Sequence, residues 1–122
     1  MPITSLPTAP QPAPAAQPAF APQLMLCGVN TPTCATFLIN TPEFILGKQH
    51  DCNGVISFSN EISRHHAKIL WRDGAYYIVD LDSANKTFVN GKALAPHIEK
   101  ELRSGDRIAL STSVFQVEKI HR

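Results

Sequence analysis

The stretch ISRHHAKILWRDGAYYIVD, residues 62–80, is rich in apolar and β-branched side chains on both sides of Asp73-Gly74. Short runs of this composition predict two strands, Ala67 to Arg72 and Ala75 to Asp80. Asp-Gly between them predicts a two-residue hairpin, because a type I′ turn requires positive φ at both central positions. The stretch therefore indicates an antiparallel strand pair that is preceded by a polar loop.

The same pattern of short strands and turns continues through the chain. From Gln23 onward, apolar runs alternate with turn residues, and Asn90-Gly91 and Ser104-Gly105-Asp106 supply two further turns. This pattern is typical of an all-β sandwich of two mostly antiparallel sheets, with about 10 to 11 short strands and the binding loops at one end. The other predicted strands are Gln23 to Cys27, Ala35 to Ile39, Phe44 to Leu46, Gly54 to Phe58, Thr87 to Val89, Ile98 to Leu102, Arg107 to Leu110 and Val114 to Ile120.

Two of these strands have a predicted inward face. Side chains along a strand point alternately to opposite sides of the sheet, so one set of alternating residues faces the core. For the strand that begins at Ala75, the alternation predicts that Tyr77 and Val79 face inward. We expect them to meet Phe115 and Val117 across the sandwich.

The N-terminal segment differs from the rest in composition. Residues 1–42 contain no Asp, Glu, Lys or Arg, and seven of the ten prolines fall within the first 22 residues, mixed with Ala and Gln. Such a composition favours extended polyproline II and buries little apolar surface. We expect residues 1–22 to form a Pro/Ala-rich flexible linker or tail and residues 23–122 to form one domain. An alternative is a ligand for a proline-recognition domain, which the lack of a flanking basic residue disfavours.

Charge and hydrophobicity restrict the class of partner. The net charge is +1 and no long Lys/Arg run is present, which argues against nucleic-acid binding. No stretch approaches the roughly 18 apolar residues of a membrane span, so we expect no membrane contact by this domain. No basic region precedes an apolar run as in a signal peptide. We therefore expect a cytoplasmic, intracellular location.

The cysteines do not indicate a disulfide framework or a metal site. Cys27, Cys34 and Cys52 are odd in number and lack paired spacing, which favours reduced thiols. A bridge between Cys27 and Cys34 stays open as an alternative. Neither these cysteines nor the nearby histidines show the Cys-x-x-Cys or His-x3-His spacing of a structural zinc site. We therefore predict no metal and no cofactor.

Residues suited to phosphate recognition fall in the predicted loops. Ser63 carries a hydroxyl donor, and Lys48 and Arg64 carry positive charge. Asn85 adds an amide side chain. Because loops on a rigid scaffold commonly carry function, these residues predict a site for a phosphorylated peptide. Their local positive charge would attract a dianion without making the whole protein basic.

Three motifs in this order resemble those of the forkhead-associated (FHA) domain. They are Gly47-Lys48, then Ser63-Arg64-His65-His66, then Ser83-Ala84-Asn85-Lys86-Thr87 followed by Val89-Asn90-Gly91. The similarity covers about Phe44 to Ile120. FHA domains are readers of phosphorylated motifs. The resemblance implies a β-sandwich that binds phosphothreonine in an extended peptide and is not an enzyme.

The resemblance also implies a role for each matching residue. Ser63 matches a serine that donates its hydroxyl to a phosphate oxygen, and Asn85 matches a residue that hydrogen-bonds the peptide backbone beside the phosphothreonine. Gly47 and His66 match residues that support the site, with His66 as a buried brace for the binding loop. The residues predicted to bind the phosphopeptide are Lys48, Ser63, Arg64, Ala84, Asn85 and Lys86.

Two residues depart from the family pattern within the site. Lys48 stands where the family usually has arginine, so the charge is kept but the planar two-point donor is lost. Lys86 stands where the family usually has glycine, which adopts positive φ without steric cost. We expect Lys86 either to accept that cost or to hold a different turn.

Two further residues are predicted to lie near the site. His65 alternates with His66 and is expected to point to solvent. Glu61 falls in the region where the family reads the third residue after the phosphothreonine. A carboxylate there predicts that Asp is disfavoured at that peptide position, although Lys86 would act in the opposite direction.

The sequence thus predicts a phosphothreonine-recognition module that acts in Ser/Thr kinase signalling, with an upstream kinase and a Thr-phosphorylated partner. The alternative is an interaction domain of the same fold that binds partners independently of phosphate. Self-association is also open, through phosphorylation of a threonine such as Thr4 or Thr8 in the N-terminal segment and its capture by another copy.

Overall fold

The computed structural model describes residues 24–31 and 35–119, and these contain strands, turns and bends but no helix, hence none able to cross a membrane. The eleven strands are β1 (Leu24–Gly28), β2 (Thr36–Leu38), β3 (Glu43–Gly47), β4 (Gly54–Val55), β5 (Ala67–Arg72), β6 (Ala75–Asp80), β7 (Thr87–Val89), β8 (Lys92–Ala93), β9 (Lys100–Leu102), β10 (Arg107–Leu110) and β11 (Ser113–Lys119).

The strands form two sheets. One has six strands in the order β2-β1-β11-β10-β7-β8, and the other has five in the order β4-β3-β5-β6-β9. Neighbouring strands are antiparallel except β3 and β4, which pair in parallel through Leu46 and Gly54. The predicted all-β sandwich is therefore confirmed.

The core lies between the inner faces of the sheets and follows from side-chain alternation along the strands. On β11, Phe115 and Val117 are fully buried while their neighbours are partly exposed, and Leu24 and Leu26 repeat this spacing on β1. Ile69 on β5 and its pairing partner Ile78 on β6 belong to the same core and come from the other sheet. Each buried side chain of this size stabilises the fold by about 1.5 to 3 kcal/mol.

The predicted inward face of β6 is wrong for Tyr77, while Val79 is buried but does not belong to the core cluster. Tyr76 and Ile78 belong to the core cluster, whereas Tyr77 is half-buried and lies 4.7 Å beneath the guanidinium carbon of Arg72. The two-residue turn pairs Arg72 with Ala75 and so pairs Ile69 with Ile78, which fixes the inward set. Because residues 76–79 are all apolar or aromatic, the sequence alone did not determine which alternate set faces the core.

Several strand limits also differ from the prediction. The strand that begins at Gly54 ends at Val55, and residues 56–62 form an irregular segment. The strand expected at Ile98 begins at Lys100. Some of the predictions lie outside the described residues, namely the 1–22 linker, the Thr4 and Thr8 sites, the strand ends at Gln23 and Ile120, and the Cys34 pairing.

The connections between strands divide between two ends of the sandwich. The motif end comprises the loops 48–53, 56–66 and 81–86 and the turn at 111–112. The hairpin end comprises the turns 73–74, 90–91 and 103–106. The motif residues from Gly47 to Thr87 therefore lie at or beside one end, as predicted, whereas Val89-Asn90-Gly91 lies at the other.

Candidate functional site

Gly47 allows two loops of the motif end to touch. A Cβ atom at this position would lie 2.0 Å from the carbonyl oxygen of Arg64, which is closer than any real contact. The next backbone amide, that of Lys48, donates to the Ser63 carbonyl at 3.0 Å, and the Gln49 amide donates to the Arg64 carbonyl at 3.2 Å. The absence of a side chain at Gly47 thus fixes Lys48 beside Ser63 and Arg64.

Ser63 connects the loops 48–53 and 56–66 to the loop 81–86. Its Oγ accepts a hydrogen bond from the backbone N–H of Ala84 at 3.0 Å. A serine hydroxyl is both a donor and an acceptor, so Ala84 uses a lone pair and leaves the hydroxyl hydrogen to be donated. The hydroxyl is thereby oriented before any ligand arrives.

His66 braces two loops from inside the protein. Its ring is fully buried, and Nδ1 accepts from the Ser63 amide at 3.0 Å. Nε2 must then carry the hydrogen of the neutral ring, and it donates to the Lys86 carbonyl at 3.0 Å. Burial lowers the pKa of His66, although the Lys86 carbonyl and Asp80 act against this shift.

A buried carboxylate that the sequence analysis missed holds the third loop. Asp80, 1% exposed, accepts from the amide and hydroxyl of Ser83 and from the Thr87 hydroxyl at 2.7 Å. Burial alone would raise the pKa of Asp80, but these hydrogen bonds outweigh it and lower the pKa. An Asp followed by Ser three residues later at a strand end is a turn signal that could have identified this contact.

Lys86 adopts the conformation that glycine has in the family pattern. Its φ is +73°, so the loop keeps a left-handed turn with a non-glycine residue. Such a conformation costs about 1 to 2 kcal/mol for a residue with a Cβ atom. The turn aims the Lys86 carbonyl at His66 Nε2 and at the Ser111 amide, 3.0 Å from each.

Asn85 bridges the second and third loops. Its exposed side chain donates from Nδ2 to the Glu61 carbonyl at 2.9 Å. The Glu61 carboxylate in turn accepts hydrogen bonds from the hydroxyls of Ser111 at 2.6 Å and Thr112 at 3.2 Å. Glu61 is therefore held toward the 111–112 turn.

The three loops joined through Ser63 each carry one cation, namely Lys48, Arg64 and Lys86. Lys48 Nζ contacts the neutral Asn60 Oδ1 at 2.9 Å, a partner that the sequence did not indicate. Arg64 and Lys86 are exposed. Within the described parts of the chain, none of the three has a carboxylate oxygen within 4.0 Å. Their charge is not neutralised by an internal ion pair.

His65 and Cys52 lie on the other side of the same loop contact. His65 is exposed, as predicted, and its Nε2 is 3.0 Å from Asp51 Oδ1. Cys52 is buried, and its Sγ donates to the Arg64 carbonyl at 3.1 Å. Burial raises the pKa of the Cys52 thiol. Cys27 and Cys52 are both free thiols.

The structure thus places the sequence-predicted site residues at the motif end. They lie in connected loops, except for Gly47 at the end of β3, and His66 is the loop residue directly before β5. Hydrogen bonds and one close backbone contact join Gly47 and Lys48 to the 63–66 segment, and that segment to the 84–86 segment. This arrangement presents a hydroxyl, an amide and three cations without an aligned nucleophile, base and orienting group.

The FHA domain family matches residues 44–111, which is more than half of the chain. The chain belongs to the FHA domain family. FHA domains are non-catalytic binding modules.

Individual proteins show the same similarity. Protein FraH of Nostoc sp. is 35% identical over 79 residues, covering 65% of this chain and 27% of that protein. An FHA structure from a study of phosphothreonine-dependent FHA domain interactions has a TM-score of 0.71 and 26% identity, covering 82% of this chain and 98% of that one. Mycobacterium tuberculosis EmbR, solved with a low-affinity phosphopeptide, has a TM-score of 0.71 and 25% identity, covering 80% and 24%.

The chain spans half or less of the length of the curated relatives that it matches. The similarity therefore concerns only part of each relative.

Proposed function

We propose that this domain binds protein segments that contain phosphothreonine, and that Ser63 is the central phosphate ligand. The observation that carries the proposal is the hydrogen bond from the Ala84 amide to Ser63 Oγ, which leaves the hydroxyl hydrogen for a phosphate oxygen. Because the hydroxyl is oriented before binding, little entropy is lost in positioning it.

Lys48, Arg64 and Lys86 supply the charge in this proposal. A phosphothreonine carries close to two negative charges at neutral pH, and hydrogen bonds to charged groups are worth about 1.5 to 3 kcal/mol each. Lys48 binds as a point charge and can leave Asn60, a neutral partner, without exposing a carboxylate. Arg64 and Lys86 have no carboxylate to leave among the described residues.

Asn85 positions the peptide backbone in the proposed complex. Its Nδ2 is already bound to the Glu61 carbonyl, which orients the amide and leaves its oxygen for a peptide N–H. The Glu61 carboxylate would lie near the bound peptide, so we expect Asp to be disfavoured at the third position after the phosphothreonine. An oriented peptide library that selects Asp there would contradict this specificity.

The proposed partner is a protein phosphorylated by an upstream Ser/Thr kinase, inside the cell where such kinases act. We expect Kd on the order of 1 to 100 μM, because the interface is small and the peptide becomes ordered on binding. Capture of a phosphorylated threonine in the N-terminal segment of another copy is a special case. In this case the phosphorylated protein should self-associate in a concentration-dependent way. Phosphorylated protein that stays monomeric at high concentration would contradict it.

The test is fluorescence-polarisation binding of a degenerate phosphothreonine peptide library, compared with unphosphorylated and phosphoserine libraries. We expect selective binding by the wild type and at least about tenfold weaker binding by Ser63→Ala and by Lys48→Ala, since each loses a charge-assisted hydrogen bond. Ser104→Ala and Lys92→Ala change the same residue types at exposed positions of the hairpin end and should bind normally. Equal binding of phosphorylated and unphosphorylated peptides would support the phosphate-independent alternative instead.

A further inference from the structure

Three side chains with metal-ligand chemistry converge at the motif end, beside Arg64. They are Asp51, Cys52 and His65, and their ligand atoms all lie within 4.8 Å of one another. His65 Nε2 is 3.0 and 3.1 Å from the two Asp51 carboxylate oxygens. Asp51 and Cys52 are adjacent but His65 is 13 residues further on, so their spacing matches no metal-binding motif in the sequence.

We propose that Asp51, Cys52 and His65 bind a zinc ion. Thiolate sulfur and imidazole nitrogen favour Zn²⁺, whereas Mg²⁺ and Ca²⁺ prefer oxygen ligands throughout. One sulfur, one nitrogen and one oxygen match the donor types found in zinc sites with three protein ligands and a fourth position for water.

The present geometry needs only a small change to accept the ion. Zinc bonds of about 2.0 to 2.3 Å in a tetrahedron place ligand atoms roughly 3.3 to 3.6 Å apart. Atoms that already lie within 4.8 Å must therefore move by about 1 Å. Asp51 and His65 can make this adjustment, because their side chains are 64% and 43% exposed. Their exposure also lets water reach the fourth position.

Binding changes the hydrogen bonding of Cys52 without leaving a backbone group unsatisfied. The thiol now donates to the Arg64 carbonyl, and zinc coordination releases its proton to solvent. The Arg64 carbonyl keeps the hydrogen bond from the Gln49 amide. Within residues 24–31 and 35–119, no fourth His, Cys, Asp or Glu joins the cluster, so the ion is held by three protein ligands there.

Zinc at this position would link the loop 48–53 to the loop 56–66. The ion would stabilise the folded state, since the three ligands are brought together only by folding. This inference does not depend on phosphopeptide binding, and its test uses zinc alone.

The experiment is a zinc titration of the reduced full chain in competition with a chromophoric chelator, with thermal unfolding measured alongside. We expect one ion per chain, a rise in Tm with zinc, and at least about tenfold weaker binding in Cys52→Ser, Asp51→Asn and His65→Gln. His50→Gln in the same loop and Cys27→Ser, a free thiol elsewhere, are the matched controls and should bind as the wild type does.

Cobalt substitution gives a second readout. A sulfur-to-cobalt charge-transfer band should appear in the wild type and disappear in Cys52→Ser. If Cys52→Ser fails to fold, the two exposed ligand variants decide, since both change polar side chains at the surface. Zinc binding that is absent in the wild type, or that is unchanged by Asp51→Asn and His65→Gln, would overturn the proposal.

Discussion

The two ends of the sandwich use glycine in opposite ways. At the hairpin end, Gly74 and Gly91 have φ of +82° and +86°, and a Cβ atom added to either would meet nothing within 4 Å. At the motif end, Gly47 shows no positive φ, but its Cβ would strike the Arg64 carbonyl at 2.0 Å. Glycine thus serves backbone conformation at the hairpin end and the close approach of two loops at the motif end.

The ends also differ in how their loops are closed. Asp73-Gly74 joins strands that are adjacent in sequence, so the turn is determined locally. The motif end is closed by the buried polar residues His66 and Asp80. His66 bonds to its own loop and to Lys86, and Asp80 bonds to Ser83 and to Thr87 at the start of β7. We infer that the loops which carry the proposed ligands are rigid because buried side chains hold them.

The largest expected effect separates the two kinds of glycine. Gly47→Ala should lower the free energy of unfolding by about 3 kcal/mol and weaken phosphopeptide binding, because the overpacked loops must separate. Gly91→Ala should cost about 1 to 2 kcal/mol through its positive φ and leave binding intact. Urea denaturation and peptide titration measure both. If both variants lost phosphopeptide binding equally, the two ends would not differ in the way that glycine supports them.

The second prediction concerns the buried carboxylate. Asp80→Asn should cost about 2 to 3 kcal/mol, since an amide group would face three donors and leave buried hydrogen-bond groups unsatisfied. Asp106→Asn is the matched change at the hairpin end, where the carboxylate is less buried and binds the Arg103 amide and Asn90. We expect about 1 kcal/mol there. A larger loss at Asp106, measured by the same denaturation, would contradict the comparison.

The pH dependence of stability tests the buried histidine. Because burial lowers the pKa of His66, the folded state binds fewer protons than the unfolded state near the ordinary histidine value of about 6.5. Stability should therefore be retained above that value and fall as the pH drops below it. Denaturation at about pH 7.5 and pH 5.5 measures this loss. His66→Gln should remove that part of the pH dependence, and an unchanged dependence would exclude His66 as its source.

The smallest effect is expected at Lys86. Lys86→Gly should raise the free energy of unfolding by roughly 0.5 to 1 kcal/mol, because relief of the positive φ exceeds the added entropy of the unfolded chain. Asp73→Gly is the control at the hairpin end, since aspartate tolerates a φ of +53° and its exposed carboxylate lies 3.9 Å from Arg72 Nε. It should change stability by less than Lys86→Gly does. The reverse order in thermal or urea unfolding would contradict this account of the turn.

Local signals predicted the fold and much of the candidate site. The turns at Asp73-Gly74 and Asn90-Gly91 have positive φ at all four residues, as the two-residue hairpins require. The brace role of His66 came from the family resemblance, and the structure supplies its partners. These features depend on residues that are close in sequence or on motifs of fixed order.

Other features depend on register and on contacts between distant loops. The inward face of β6 was predicted wrongly because either phase of Tyr76-Tyr77-Ile78-Val79 buries apolar residues. The Lys48–Asn60 contact could not be read from sequence, since it requires the path of the irregular segment 56–62. Close approach of loops is a property of the folded sandwich and leaves no periodic pattern in the chain.

The most direct test of the central claim is an NMR titration of the ¹⁵N-labelled protein with a phosphothreonine peptide selected from the library. We predict the largest amide shifts at residues 47–48, 63–66 and 84–87, with the 73–74, 90–91 and 103–106 turns unchanged. The unphosphorylated peptide should produce no such shifts. Shifts centred on the hairpin end or on a sheet face, or equal shifts with both peptides, would contradict phosphothreonine recognition by the motif end.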